Sequence, residues 1–206
     1  MNAQDQFNLA QVEYRKLISL FKTNCTAIQK FIPTYSERIM LQQFDRILQA
    51  FLIHIACSDC NFDRIEIQFI RKITDYADIL GGLDSIPRSQ QIDGQIFFER
   101  EAKKILQKAE EFFAPIAIID GALPQIDLFK EINKSMNSIA VLLMMVDGEV
   151  EECEKHKAAE MFVKYILNPY QSIKEHASKQ LIPAVQKSSA PRNSLKDVYQ
   201  NKLKKN

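Results

Sequence analysis

The sequence predicts an all-α protein, on three observations. Glycine is scarce, five in 206 residues, so the turns of a β-rich fold have few residues to make them. Apolar residues recur at helical spacing over long runs, with no sustained alternation of the strand kind. One helix–short loop–helix pattern also occurs twice, in Phe51–Ile70 and again in Ile139–Ala158, 88 residues further on. Internal self-similarity of this kind constrains a fold more than any single propensity.

The elements follow in order. Residues 4–31 read as one amphipathic helix with Phe7, Ala10, Tyr14, Leu17, Phe21, Ile28 and Phe31 on a stripe that Asn24 interrupts. The stripe suits either a helix packed on the domain or a coiled-coil arm, and Pro33 stops it. Ser36 is placed to cap a second helix that runs to about Ser58, its apolar face formed by Ile39, Met40, Phe44, Ile47, Leu48, Phe51, Leu52 and Ile55. A third helix is expected over 63–76, with Ile65, Phe69, Ile70 and Ile73 inward. Gly81, Gly82 and Pro87 mark a loop. Asp93 is then placed to cap a helix of 94–113 with Ile96, Phe97, Ile105, Ala109, Phe112 and Phe113 as its apolar set. Pro115, Gly121 and Pro124 make 114–127 read as a loop. Helices of 127–146 and 151–167 follow. Asn168-Pro169 reads as an N-cap with proline at the first helical position of a last helix, which runs to about Lys187 and is interrupted at Pro183.

The repeated pattern carries the candidate chemistry. An apolar run leads to Asp59 or Asp147, then a small residue, Cys60 or Gly148. A polar and an apolar residue come next, Asn61-Phe62 or Glu149-Val150, then Asp63 or Glu151, and three residues later Glu66 or Glu154. Such acids suit the first turn of a helix, where a side-chain oxygen caps backbone N–H groups and a carboxylate complements the helix dipole. The same oxygens suit a hard divalent cation, Ca²⁺ or Mg²⁺, which takes six or more oxygen ligands. The candidate set is Asp59, Asp63 and Glu66 in one loop and Asp147, Glu149, Glu151 and Glu154 in the other. Neither loop has the spacing of an EF-hand. Capping and cation binding are both compatible with the pattern.

At VDGEVEECE, ending in Glu154, and its weaker partner SDCNFDRIE, ending in Glu66, the chain resembles the TerB-like family of tellurite-resistance and stress proteins. The resemblance implies a small helical domain whose halves each carry a D-G-x-apolar-x-x-x-E signature, with acidic residues that bind divalent metal. Cys60 stands where the signature has glycine. On this reading 1–33 is an extra N-terminal helix, 34–187 the TerB-like domain with an insertion at about 81–122, and 188–206 a basic C-terminal tail.

A soft-metal alternative draws on His54, Cys57 and Cys60 with Cys153 and His156, since C-x-x-C and C-x-x-H are zinc half-site spacings. No phosphate loop, G-x-S-x-G or H-E-x-x-H is present, so the expectation is a protein that is not an enzyme. The net charge of +1 argues against a nucleic-acid footprint. The longest apolar run, Ile139–Val146, is far too short to span a bilayer, and peripheral membrane contact is left to the basic tail. Met1–Asp5 carries no signal pattern, and the four cysteines read as reduced thiols of a cytoplasmic chain. Two functions follow as expectations: a stress-associated module holding a divalent cation, or a helical interaction module, open to a protein partner or self-association, whose acids are structural caps.

Overall fold

The computed structural model describes residues 2–31, 33, 36–58, 64–74, 91–122, 127–146 and 152–176. The chain is all-α: the described residues form helices and the turns between them, with no strand among them. The helices are α1 (Ala3–Phe31), α2 (Glu37–Ala56), α3 (Arg64–Ile73), α4 (Gln91–Leu106), α5 (Ala109–Ala122), α6 (Leu128–Met144) and α7 (Glu152–Phe162). A π-turn, Val163–Leu167, joins α7 to a further helix, α8, at 168–176.

The stripe on α1 is core. Phe7, Ala10, Tyr14, Leu17, Phe21 and Ile28 are all buried, in one cluster with the inward faces of α2, α3, α5, α6 and α7. Phe21 packs on Phe44 of α2 and Phe112 of α5, with ring centroids 5.1 and 5.9 Å away. Asn24, where the stripe breaks, donates back to the Leu20 carbonyl. A helix buried this fully is part of the domain and not a free arm. Ser36 caps α2 as expected, its hydroxyl accepting from the Ile39 N–H.

Several expectations give way: Ile39 on α2 is exposed, and Asp93 lies inside α4 and does not precede it. The helix expected at 94–113 is two helices, broken at Gln107 and Lys108, and the loop expected at 114–127 is helical as far as Ala122. Pro115 lies inside α5. It removes one backbone bond, but Phe112, Phe113, Ile116, Ala117 and Ile119 are all buried around it, and that packing outweighs the local preference. On α4 the buried stripe is Phe98, Ala102 and Leu106, while Ile96 and Phe97 face solvent. Asn168 is not an N-cap, for its backbone is α-helical (φ −62°, ψ −47°). The helix passes through it by a wider turn in which the Asn168 N–H donates to Val163, five residues back. Pro169, which has no N–H and crowds the turn before it, is accommodated by that widening. The expected break at Pro183 and end at Lys187, like the 188–206 tail, lie outside the described residues.

The 88-residue offset holds in the helix boundaries. Ala56 ends α2 and Met144 ends α6; Arg64 opens α3 and Glu152 opens α7. It also reaches the segment read as an insertion, since α1 begins at Ala3 and α4 at Gln91. Glu13–Lys16 on α1 and Glu101–Lys104 on α4 are ion pairs at matching positions, 2.5 and 2.7 Å long. Packing is exchanged in the same sense. α1 lies on α6 and α4 on α2, while α2 packs on α7 and α3 on α6.

Candidate functional site

Of the acidic set, Asp59, Asp63, Asp147, Glu149 and Glu151 lie outside the described residues. Glu66 and Glu154 are described, and they are equivalent. Each is the third residue of its helix, α3 or α7, and each is only 4% exposed. A glutamate at that position normally reaches solvent or its own cap. Here both carboxylates are folded into the core side of the helix start and engaged by neighbouring groups.

The chain approaches the two loops in matching ways. At the end of α2 the Cys57 carbonyl accepts from Gln95 Nε2 of α4, at 3.3 Å. At the end of α6 the Met145 carbonyl accepts from Gln6 Nε2 of α1, at 2.6 Å. Cys57 and Met145 each stand two residues before a loop aspartate. Unpaired carbonyls at a helix C-terminus carry partial negative charge, and in both copies a glutamine amide from another helix covers one of them.

Gln6 is itself 3% exposed, and its other amide atom, Oε1, has no hydrogen-bond partner. A hard cation is held by carboxylate and amide oxygens. Among the described residues, however, no three His, Cys, Asp or Glu side chains converge to hold a metal. The described part of the set is one buried carboxylate from each copy.

The soft-metal ligands are not brought together among the described residues. His54 and Cys57 are buried on α2, Cys153 and His156 are exposed on α7, and Cys60 lies outside the described residues. Burial, aided by Lys157 and Lys103, holds the His54 imidazole down at a pKa of about 4. Neither ring nitrogen has a hydrogen-bond partner; Nδ1 lies 3.7 Å from Glu99 Oε1, which itself lies 3.8 Å from Lys157 Nζ. A neutral ring makes no ion pair, so the Glu99 contact adds little.

A shallow groove between α1 and α6 is lined by Glu13, Lys16, Leu20, Glu131 and Lys134 among others. The hydrogen bond from Lys16 holds the Glu13 carboxyl below its ordinary pKa, the wrong direction for a general acid at neutral pH.

Sequence reasoning missed the best-defined carboxylate, Asp120. It is buried near the end of α5, and its oxygens accept from the Leu128 and Phe129 N–H groups at 2.8 and 3.0 Å, and from the Tyr170 hydroxyl at 2.8 Å. Tyr170 stacks on Phe129, with centroids 3.7 Å apart. Asp127 adds a second cap, accepting from the Lys130 N–H. The stretch Ile118–Gly121 does echo the two acidic motifs, but Asp127 stands where they have glutamate, and on that ground it reads as a loop. A second buried carboxylate, Asp45, accepts from the Tyr14 hydroxyl at 2.5 Å and ties α1 to α2.

Among the described residues no helix is long and apolar enough to cross a membrane. Compared with models of known families, with curated proteins and with solved structures, the chain matches none.

Proposed function

We propose that the chain is a non-catalytic, TerB-like helical module of the cytoplasm, stress-associated, that holds a divalent cation at its two acidic loops. One observation carries this reading: Glu66 and Glu154, 88 residues apart, occupy the same place on equivalent helices and are buried alike. Both carboxylates are engaged by neighbouring groups, and a carboxylate has lone pairs enough to share with a cation as well. Ca²⁺ or Mg²⁺ would draw its carboxylate oxygens from Asp59, Asp63 and Glu66 of the first motif and from Asp147, Glu149, Glu151 and Glu154 of the second.

A second reading also has an observation behind it. In the third acidic stretch, Asp120 and Asp127 act as caps of α6. If the loop acids do the same, they are structural, and the chain is a helical interaction module for a protein partner or for a second copy.

Thermal unfolding of chelated protein, with and without millimolar Ca²⁺ or Mg²⁺, separates the two. A ligand bound only by the folded state adds RT ln(1 + [L]/Kd), about 2.7 kcal/mol at one hundred times Kd. The cation reading expects a rise in Tm that Asp147→Asn or Glu154→Gln abolishes. Equal destabilisation by these changes with and without cation, and no rise in the parent chain, would leave the capping reading.

A further inference from the structure

We infer that the groove between α1 and α6 is the docking surface for a second copy of this chain, seated on an apolar strip formed by Leu9, Val12 and Val141. The inference rests on the interaction reading, to which it gives a surface and a partner, and not on the cation. The register of the two helices places the strip. Ser135 Oγ donates to Glu13 Oε2 at 3.2 Å and Gln6 Nε2 to the Met145 carbonyl at 2.6 Å, so α1 and α6 run antiparallel. Leu9, one turn beyond Gln6, shares a stripe of α1 with the groove residues Glu13 and Lys16. Val141, one turn before Met145, stands two turns beyond the groove residue Lys134 on α6. Leu9 and Val141 are thus level along the helix pair, and they continue both walls of the groove in apolar form. Val12 adjoins Leu9 on the next turn of α1.

Leu9, Val12 and Val141 are 47, 46 and 48% exposed. One such residue is ordinary on a surface, but three on a single face make a patch. The repeat shows the same position covered: the counterpart of Val141 on α2, Ile53, is fully buried within the chain. Charge and area fit a second copy. Next to the strip lie two acids, Glu13 and Glu131, and two bases, Lys16 and Lys134. An isologous contact sets a face against itself, so a face of one sign repels its copy, whereas a balanced one can set acid against base. Lys16 holds Glu13 within the chain at 2.5 Å, while Glu131 and Lys134, both exposed and one turn apart on α6, are placed to meet their opposites across the contact. With 17 residues α6 is about 25 Å long, and two packed helices are roughly 20 Å wide, so each copy offers on the order of 500 Å². The two faces together bury on the order of 1,000 Å², the lower limit for a specific complex, and the association expected is weak, of micromolar order.

The experiment is analytical ultracentrifugation of the 206-residue chain in chelator, from micromolar to near-millimolar concentration. The mass is expected to rise from 23.8 kDa toward twice that value. Leu9→Glu and Val141→Glu bury a charge only in the dimer, so each is expected to raise its dissociation constant about tenfold or more. Circular dichroism and Tm are expected to stay those of the parent, because both positions are half in water. Phe97→Glu is the control: it stands at the position of Leu9 in the other half, is equally exposed at 47%, and is expected to leave the dimer intact. Lys134→Glu is expected to be monomeric alone and to associate when mixed with Glu131→Lys, since the mixture restores opposite charges. The inference is overturned by a parent that stays monomeric throughout, by a dimer unchanged in Leu9→Glu and Val141→Glu, by equal loss in Phe97→Glu, or by a mixture that stays monomeric. The interaction reading fails separately, by a rise in Tm with cation that Glu154→Gln abolishes.

Discussion

His54 and Asp120 are buried ionisable groups whose pKa values are displaced by the same cause, burial, with opposite consequences for stability. For His54 the folded pKa, about 4, lies below the ordinary 6.5. The unfolded chain therefore binds the proton first, and the stability that a neutral His54 contributes above pH 6.5 is lost as the pH falls toward 4. Full protonation would cost roughly 3 kcal/mol by that displacement. Replacing His54 by leucine removes both orphaned nitrogens. Denaturant titrations from pH 7 to 4 are expected to show a flatter acid limb and a variant at least as stable as the parent at pH 5. For Asp120, burial raises the pKa and exceeds the lowering by the Phe129 and Leu128 N–H groups and the Tyr170 hydroxyl, while nearby Asp127 raises it further. Its contribution is fully present below the ordinary carboxylate pKa and declines as the pH rises through its own. Asp120→Asn is expected to lose that slope. Asp120→Ala should lose the same slope and in addition leave the Leu128 and Phe129 N–H groups unpaired, at about 3 kcal/mol where Asp120 contributes fully and less as the pH rises, as the same titrations would measure.

At the scale of elements, the α1–α2–α5 contact gives a direct test. Phe21 is fully buried between Phe44 and Phe112, and Phe21→Ala is expected to cost about 4 kcal/mol in chemical denaturation, through lost transfer energy and the cavity left behind. An arm helix would lose far less. The apolar faces of α1 and α2 and the Ser36 cap were legible in the sequence, because each depends on spacing within one helix. Pro115 and Pro169 were misread for a shared reason. A proline reports a local cost, and whether a helix pays it depends on burial elsewhere, in α5 by Ile116 and Ile119 and near α8 by Ile166 and Tyr170. Asp120 was hidden by the same misreading, since a residue assigned to a loop is not expected to cap another helix. Of the acidic set, Glu66 and Glu154 were found by spacing, whereas the hydrogen bond from Gln6 to the Met145 carbonyl left no local signal, because it spans most of the chain.

At the scale of the molecule, each half leans on the other. α1 lies on α6 and α4 on α2, and Gln6 and Gln95 cross in the same way to the ends of α6 and α2. The offset that relates the two motifs also pairs Asp5 with Asp93, Glu13 with Glu101 and Lys16 with Lys104, but Tyr14 with Ala102 and Phe21 with Ala109, so the likeness of α1 and α4–α5 is faint in sequence. The halves are not equal. Ile53 on α2 is fully buried and its counterpart on α6, Val141, is 48% exposed, where α2 is covered by α7 and α6 meets the shorter α3. Exchanged packing around one core predicts a single cooperative transition, with neither half stable first. The chain has no tryptophan, so its tyrosines can report: Tyr14 bonds Asp45 between α1 and α2, and Tyr170 bonds Asp120 between α8 and α5. Urea unfolding followed by helical circular dichroism should coincide with tyrosine emission in the parent chain and in Tyr14→Phe and Tyr170→Phe, where the difference from the parent reports the residue removed. If the emission that Tyr14→Phe removes from the parent signal changed at lower urea than the helical signal, α1 would be leaving a core that survives without it, and its burial would be an accessory contact. A shared midpoint makes α1 as necessary to the fold as α2 or α6, and makes the two acidic loops features of one folding unit.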